Sequence, residues 1–275
     1  RGDAGGRPSP GRAAVEMTLG RWIRAAQTVS PALVEAKFRA QALYRRVRRR
    51  PFNAEFRLLE RLPLRPGEQI LDVGANRGQS IQAIRMFLPE APVVAFEPNA
   101  LLAERLVRAH ARDRALRVEA CGLGSEERDM AFFVPFYNGC MFDGLASFER
   151  ESAAGWLSPR RLAGFRPERL EIRETVARIR RLDGFGLAPG FVKIDVQGFE
   201  PEVVAGGMET IARHLPVLLV EFEPGQVLGP LGDLGYESYR MREGRLERAA
   251  ERATNLFHIP PCRKEALAAA GVAFA

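Results

Sequence analysis

Short apolar runs alternate with helical segments from residue 70 onward, and this alternation restricts the fold more than any other feature. Glycine, proline or polar residues bound five such runs: Ile70–Gly74, Val93–Glu97, Leu116–Ala120, Phe191–Asp195 and Val217–Glu223. Repeated strand–helix units predict a parallel sheet covered by helices on both faces. Two later runs, Tyr236–Arg240 and Asn255–Ile259, predict two further strands arranged as a hairpin.

A glycine-rich turn follows the first run, in the sequence ILDVGANRG at residues 70–78. Gly74 and Gly78 permit backbone angles that a Cβ would block, and the turn presents N–H groups at a helix N-terminus. The spacing is D-x-G-x-x-x-G and not the G-x-G-x-x-G that receives a dinucleotide pyrophosphate. S-adenosylmethionine carries no phosphate, and Asp72 can face its cationic methionyl part or order the turn.

Glu97 ends the second run, 23 residues after Gly74. A carboxylate at this place can accept hydrogen bonds from both hydroxyls of a ribose, as in nucleotide-binding folds. The predicted donor site therefore contains Asp72, Gly74, Asn76, Gly78 and Glu97.

The fourth run, FVKIDVQGFE at residues 191–200, places Lys193 and Asp195 inside an apolar strand. Burying charged groups costs several kcal/mol unless they are paired or lie at a cleft. Ionisable groups at the carboxyl end of a central strand are therefore candidates for an active site. The alternative is that the two residues pair and fix the strand to its neighbour.

With both motifs, the chain resembles the FkbM-type S-adenosylmethionine-dependent methyltransferases. The resemblance covers residues 70 to about 223, and the K-I-D-x-[EQ]-G-x-E block is its most specific part. The matching segments, in the order of the family, are LDVGANRG (71–78), FEP (96–98), RLD (181–183), FVKIDVQGFE (191–200) with PEVVAG (201–206), and LVE (219–221).

The resemblance implies a seven-stranded, mostly parallel class I methyltransferase sheet of the Rossmann-like type, with S-adenosylmethionine as cofactor. It also implies methyl transfer to a hydroxyl oxygen of a sugar, a glycan or a secondary metabolite. An alcohol must lose its proton near the transition state, so one base is expected. Asp195 is the first candidate, and Lys193 could orient it or lower the pKa of the acceptor. Glu200, Glu221 and Glu223 are further carboxylates at the same edge, each with either a structural or a catalytic role. Many methyltransferases bind the adenine amine with an acidic residue that follows the third strand. This chain has CGLG at residues 121–124 in that place, so Ser125 or the backbone would have to bind the adenine.

Charge divides the chain into an arm and a body. Residues 1–50 hold twelve basic and three acidic residues, a net charge of +9, whereas the other 225 residues carry −2. The predicted organisation is a disordered lead (1–12), a basic helical extension (13–65) and a methyltransferase domain (66–275). The arm is either a solvated helix or a surface for an acidic partner, such as nucleic acid or a phospholipid membrane.

The segment 136–175 is predicted to be an insertion on the acceptor side, because long insertions on a rigid scaffold often carry recognition. Aromatic rings suit the face of a sugar, and arginine suits an anionic group. The alternative is a helical cap that packs its own aromatic residues inward. The residues concerned are Phe136, Tyr137, Met141, Phe142, Ser147, Phe148, Trp156 and Phe165, with Arg150, Arg160, Arg161, Arg166 and Arg169.

Three widely spaced cysteines lack zinc-site spacing and do not form a disulfide framework, so no metal site is predicted and a cytoplasmic location is expected. No signal peptide is recognised, and no run approaches the roughly 20 apolar residues of a membrane span. The oligomeric state is left open.

Three alternative functions differ in class from small-molecule methyl transfer. An RNA methyltransferase could use the basic arm, although the neutral body argues against this because nucleic-acid enzymes usually place positive charge around the cleft. A non-catalytic scaffold could bind the cofactor without turnover. An NAD-dependent oxidoreductase is disfavoured by the missing glycine pattern.

Overall fold

The computed structural model describes residues 30–221, 229–249 and 255–275. The strands are β1 Gln69–Val73, β2 Val93–Phe96, β3 Leu116–Glu119, β4 Gly122–Leu123, β5 Arg128–Tyr137, β6 Cys140–Met141, β7 Leu170–Arg180, β8 Pro189–Ile194, β9 Val217–Val220, β10 Glu237–Arg242, β11 Arg245–Arg248 and β12 Leu256–Ile259. The α-helices are α1 Pro31–Arg48, α2 Gln79–Phe87, α3 Ala100–Ala109, α4 Arg150–Gly155, α5 Glu200–Ala205, α6 Met208–His214 and α7 Pro261–Ala269. Short 3-10 helices cover Ala54–Arg61, Asp143–Leu145, Pro167–Arg169 and Leu182–Phe185.

The main sheet has eight strands in the order β11-β10-β12-β9-β8-β1-β2-β3. The five strands from β9 to β3 are parallel, which confirms the predicted α/β class and parallel core. Strands β12, β10 and β11 are antiparallel to their neighbours. The prediction of a seven-stranded, mostly parallel sheet is therefore corrected to an eight-stranded mixed sheet.

The eighth strand, β11, arises from a tight turn that the sequence pattern did not reveal. Glu243 and Gly244, which join β10 to β11, have φ values of 50° and 81°. Two successive positive φ values are typical of a two-residue hairpin turn, for which Asn-Gly or Asp-Gly is the usual signature. The predicted hairpin between β10 and β12 is accordingly wrong, because β10 forms its hairpin with β11. The two predicted strands are nevertheless antiparallel neighbours in the sheet.

Helices cover both faces of the parallel strands, as predicted, and each face has its own apolar core. Alternate residues of β1 point to opposite sides, since Leu71 belongs to one core and Ile70 to the other. The first core includes Val203 of α5 and Ile211 of α6. The second is completed by the segments that supply Phe56, Leu59, Ala83, Ile84 and Leu267. Both faces of the strands near the predicted site are thus buried.

The described residues fall into two compact units. One comprises residues 30–41 and Ala131–Thr175, and the other comprises Ala42–Met130 and Val176–Ala275. A second sheet, in the order β4-β7-β5-β6, contains the long strands β5 and β7, which contribute residues to both units. The predicted alternative for residues 136–175, a helical cap that packs its own aromatic residues inward, is correct in its packing, since Phe142, Trp156 and Phe165 pack against buried Tyr137. It is wrong in its helical character for much of the segment, because strands open and close it and α4 has six residues.

The N-terminal extension is described only in part. The predicted disordered lead (1–12) and the first part of the basic helix lie outside the described residues. Within the predicted helical extension, Pro31–Arg48 is an α-helix and Ala54–Arg61 is a 3-10 helix. The 3-10 helix buries Phe56, Leu58 and Leu59, which belong to the second apolar core.

Candidate active site

Carboxyl groups from neighbouring strands meet around one ammonium group at the carboxyl end of the parallel sheet. Asp72 of β1 and Lys193 of β8 are directly paired in the parallel register. Asp195 follows β8, and Glu221 follows β9, where its N–H donates to the carbonyl of Ile194 at 3.0 Å. Ligand sites of open parallel sheets lie at this end of the strands.

Lys193 is the centre of the cluster. Its buried Nζ lies 3.4 Å from Asp72 Oδ1 and 3.4 Å from Asp195 Oδ2, and it donates to the carbonyl oxygen of Gly74 at 2.9 Å. Burial alone would lower the pKa of Lys193, but the negative charges of Asp72, Asp195 and Glu221 outweigh burial and raise it. The ammonium therefore stays charged, and it does fix β8 to β1, the alternative that the sequence left open.

Asp72 is fully buried, and neither of its carboxyl oxygens has a hydrogen bond of normal geometry within the described part of the chain. Burial raises the pKa of Asp72, whereas the nearby Lys193 ammonium and Ser80 hydroxyl oppose that increase. A buried carboxyl group without hydrogen bonds is costly. Asp72 therefore retains the capacity to accept hydrogen bonds at the end of β1.

Asp195 and Glu221 form a coupled pair of carboxyl groups. Burial alone would raise the pKa of Asp195, but Lys193 and hydrogen bonds outweigh burial and hold it below its ordinary value. The hydrogen bond with Asp195 is the largest of the effects that raise the pKa of Glu221 to about 8, with burial and the Asp195 charge adding to it. Asp195 is therefore shifted toward the ionised form and Glu221 toward the protonated form.

The glycine turn is fastened to the second strand by Glu97. Its Oε2 accepts the N–H of Asn76 at 2.6 Å, and its Oε1 accepts the N–H of Asn99 at 2.9 Å. Asn76 needs this support because its φ of 49° lies in the left-handed region. Glu97 is buried, and burial raises its pKa to about 7.

Gly74 lies against the backbone of the candidate base. A Cβ at this position would lie 1.9 Å from the carbonyl oxygen of Asp195, and φ is +80°. Gly78, with φ of +82°, immediately precedes α2. The sequence thus correctly identified a turn that needs glycine, and the structure gives a second reason for Gly74, which is the close approach of β8.

Ser125 hydrogen-bonds with a residue outside this group. It follows β4, and its hydroxyl donates to a carboxylate oxygen of Glu202 on α5. Its role at the adenine therefore stays a prediction, as do the roles assigned to the other site residues.

Sequence reasoning did not single out Gln197, and it left the roles of Glu200 and Glu223 open. Glu223 lies outside the described residues. Gln197 Nε2 donates to Asp195 Oδ1 at 3.1 Å, and Gln197 has a φ of 56°. Buried Glu200 accepts the N–H groups of Val196 and Gly198 at 3.0 and 2.9 Å, which gives it a structural role. The spacing D-x-Q-G-x-E was visible in the sequence, and its polar residues could have indicated that it shapes the loop after β8.

A family model described as "Methyltransferase FkbM domain" matches residues 72–237, which include every candidate site residue. The chain belongs to the FkbM methyltransferase family. The predicted family and the enzyme class, an S-adenosylmethionine-dependent methyltransferase, are thereby confirmed. The matched region begins at Asp72. It therefore includes the glycine turn, Glu97 and the segment FVKIDVQGFE at residues 191–200.

The chain is also similar to a small part of a much larger protein. It is 33% identical over 165 residues to the "AMB antimetabolite synthetase AmbE" of Pseudomonas aeruginosa, strain PAO1. The match covers 52% of this chain and 8% of that protein, so the chain spans only a small part of its relative.

Three solved structures are similar to the chain, each over 73% of its length. One is methyltransferase FkbM from Methylobacillus flagellatus, with TM-score 0.42, 18% identity and 47% of that chain covered. Another is precorrin-6y C5,15-methyltransferase from Geobacter metallireducens, with TM-score 0.35, 14% identity and 82% covered. The third is an S-adenosylmethionine-dependent O-methyltransferase from Thermotoga maritima, with TM-score 0.34, 11% identity and 62% covered.

The described residues contain no helix with the length and apolar character that crossing a bilayer requires. They also contain no group of three or more His, Cys, Asp or Glu side chains arranged to hold a metal ion.

Proposed function

We propose that this chain transfers a methyl group from S-adenosylmethionine to a hydroxyl oxygen of a small metabolite, a glycan or a lipid-linked sugar. The observation that carries the proposal is the cluster of Asp72, Asp195 and Glu221 around the Lys193 ammonium at the carboxyl ends of the strands. A site with more carboxyl groups than cations favours a cationic donor such as a sulfonium. The same cluster offers a base for an alcohol, whose proton must leave during the reaction.

The residues around the glycine turn fit the donor. When bound, S-adenosylmethionine supplies a methyl group on a sulfonium, which needs no further activation for an in-line displacement. Asp72 brings two buried oxygens without hydrogen bonds, and the lack of a Cβ at Gly74 keeps the turn close to Asp195. The backbone of Gly74, Asn76 and Gly78 would line the donor.

Glu97 would accept the ribose hydroxyls, and Ser125 would meet the adenine. Each oxygen of Glu97 already accepts one backbone N–H. A carboxylate oxygen has two acceptor sites, so both oxygens keep the capacity to accept a hydroxyl. Glu97 would thus hold the turn and the donor together.

Asp195 would take the proton of the acceptor hydroxyl. The oxygen–carbon bond would form as the methyl–sulfur bond of the donor breaks, with that electron pair left on the sulfur, and the hydroxyl proton would pass to Asp195. The pKa of Asp195 lies below its ordinary value, so its carboxylate is ionised and can accept this proton. Lys193 Nζ, at 3.4 Å from Oδ2, and Gln197 Nε2, which donates to Oδ1 at 3.1 Å, would orient Asp195.

The acceptor is proposed to be small and to present a flat or anionic group to the segment 136–175. In this segment and beside it, arginine side chains lie over aromatic rings. The guanidinium of Arg173 is 4.0 Å from the ring centroid of Phe136, and that of Arg161 is 5.1 Å from the centroid of Trp156. The similarity to a protein named as an antimetabolite synthetase supports a metabolite.

The test is methyl transfer from radiolabelled S-adenosylmethionine to fractionated metabolites and glycans, with product analysis by mass spectrometry and NMR. The wild-type chain should form a methyl ether, and Asp195→Asn should lower the rate at least about a hundredfold, as expected for a general base. Asp129→Asn, which changes an exposed carboxylate on β5, is the matched control and should leave the rate unchanged.

Calorimetry separates binding from turnover. Glu97→Ala should weaken donor binding, whereas Asp195→Asn should retain it. A donor that binds while Asp195→Asn loses no activity would contradict the base, and tight NADH binding without S-adenosylmethionine binding would contradict the proposed function. A methylamine product would contradict transfer to oxygen.

A further inference from the structure

The outer face of α1 carries large apolar side chains in solvent. Among the described residues, seven large apolar side chains are exposed, and four of them lie on this helix. Leu33, Leu43, Tyr44 and Val47 are 57%, 63%, 57% and 71% exposed. With 3.6 residues per turn, these four positions fall within an arc of about 100° on one face of the helix. Exposed alanines at positions 36 and 40 continue the same arc.

Arginine residues flank this apolar stripe on both sides. On the same helical projection, Arg39 and Arg46 lie at one edge and Arg48 lies at the other, and all three are exposed. All charged residues in the last turn of α1 are basic, and Glu35 is the single acidic residue of the helix. The opposite side of the helix is turned toward α2, where Gln82 Nε2 donates to the carbonyl of Ala42 at 2.5 Å. The stripe therefore faces away from that contact.

We propose that α1 lies on the surface of a membrane that contains anionic lipids. Apolar residues along the middle of a helix face, with arginine at both edges, match a helix that lies in the lipid interface. The apolar side chains enter the acyl boundary, and the arginine stems lie along it while their guanidinium groups reach the phosphates. Residues 1–50, which include α1, carry a net charge of +9, whereas the rest of the chain carries −2. A negative surface would therefore attract the N-terminal end of the chain.

A nucleic acid fits this face less well. Binding to a phosphate backbone uses the arginines, but it gives no free energy to four exposed apolar side chains in the middle of the face. A second copy of the chain would bury the apolar stripe and bring arginine edges with the same charge near one another. A lipid surface satisfies both the apolar and the basic residues, and it is independent of the proposed catalytic function.

The test is sedimentation of the full chain with vesicles of phosphatidylcholine, with and without phosphatidylglycerol. The chain should bind the anionic vesicles and leave the neutral ones largely unbound. Arg46→Gln with Arg48→Gln should weaken binding roughly 25-fold, since each basic residue near an anionic surface contributes about fivefold. Leu43→Ser with Val47→Ser should weaken binding at least about tenfold, because apolar area no longer leaves water.

The matched control uses α3, which carries exposed Leu101 and Val107 without a shared face, and exposed Arg105 and Arg108. Leu101→Ser with Val107→Ser, and Arg105→Gln with Arg108→Gln, should bind vesicles as the wild type does. Circular dichroism and thermal unfolding check that every variant folds.

Several outcomes overturn the proposal. They are equal binding to neutral vesicles, binding to a random-sequence RNA but not to vesicles, and vesicle binding that the α1 substitutions leave intact. Dimerisation that light scattering detects and that Leu43→Ser with Val47→Ser abolishes, with no vesicle binding, would assign the face to a second copy.

Discussion

At the scale of one residue, Gly74 allows the glycine turn to lie close to the backbone of Asp195. The Gly74→Ala variant should unfold more easily and bind S-adenosylmethionine more weakly, because a Cβ would collide with the Asp195 carbonyl. Gly67 is the matched control, since its φ of +83° is nearly the same and no atom lies within 4 Å of a Cβ there. Gly67→Ala should cost about 1 kcal/mol from backbone strain alone.

We expect Gly74→Ala to cost at least about 2 kcal/mol more than Gly67→Ala, since close-packed backbone cannot give way easily. Urea unfolding and calorimetric titration with the donor measure the two effects. Equal losses in the two variants would show that the close approach does not matter.

Glu97 should make the stability of the protein depend on pH. Its pKa is raised to about 7 in the folded chain, from an ordinary value of 4.5, by burial. The folded state therefore binds this proton more tightly, so the stabilisation is complete below about pH 4.5 and is lost as the pH rises through 7. The shift corresponds to about 3 kcal/mol in the free energy of unfolding.

Urea unfolding between pH 5 and pH 8 measures this loss. Glu221, whose pKa is raised to about 8, contributes over the same range. Glu97→Gln, which cannot ionise, should therefore remove a part of the decrease, whereas Glu90→Gln at an exposed position should leave it unchanged. A decrease as large in Glu97→Gln as in the wild type would contradict the role of Glu97.

At the scale of elements, one buried ion pair connects α7 to the turn before β1. Arg263 donates to both carboxylate oxygens of Glu68 and, from Nε, to the carbonyl of Leu215 at 3.1 Å. Both side chains are almost fully buried. Arg263→Met should therefore destabilise the protein by about 3–5 kcal/mol, because it leaves a buried carboxylate without its partner.

Two further variants distinguish the pair from the general effect of losing an arginine. Glu68→Leu combined with Arg263→Met should recover part of the loss, because no unpaired charge remains. Arg240→Met breaks an exposed pair with Glu247 and should cost less than about 1 kcal/mol. Thermal and urea unfolding measure all three, and equal costs for Arg240→Met and Arg263→Met would contradict the role of burial.

The elements that could be predicted from sequence are those with a strong local signal. Four of the five parallel strands, β1, β2, β8 and β9, are short apolar runs because both of their faces are covered. The edge strand β3 is only partly buried. Strand β7 was missed because it is largely exposed, so it is rich in charged residues and resembles a loop-forming insertion. Strand β11 was missed because a Glu-Gly turn gives a weak hairpin signal.

The candidate site was predicted as a set of residues but not as a network. The sequence placed Asp72, Lys193 and Asp195 at strand ends, and the register brings the first two together. It could not show that Glu97 binds the backbone of the glycine turn, or that Glu221 lies within hydrogen-bond reach of Asp195. Such contacts depend on distances between strands that are far apart in sequence.

At the scale of the whole molecule, the uneven charge predicts two responses to salt. Donor binding depends on the body, whose net charge is −2, whereas vesicle binding depends on the arm, whose net charge is +9. Raising the ionic strength from low to high salt should therefore weaken vesicle binding at least about tenfold and change donor affinity by less than about threefold, since salt screens exposed charges far more than buried ones.

Vesicle sedimentation and calorimetry across one salt series provide the comparison. Arg46→Gln with Arg48→Gln should reduce the salt dependence of vesicle binding, and the α3 variant Arg105→Gln with Arg108→Gln should not. A steep salt dependence of donor affinity would place the arm near the donor.

The Lys193 ammonium contacts the carbonyl of Gly74 in the turn, Asp72 on the neighbouring strand β1, and Asp195, which follows its own strand β8. Evolution therefore has little freedom to retune cofactor affinity separately from turnover. Substituting Lys193 disturbs both constants at once, and new acceptor preferences have to arise from residues far from this shared anchor.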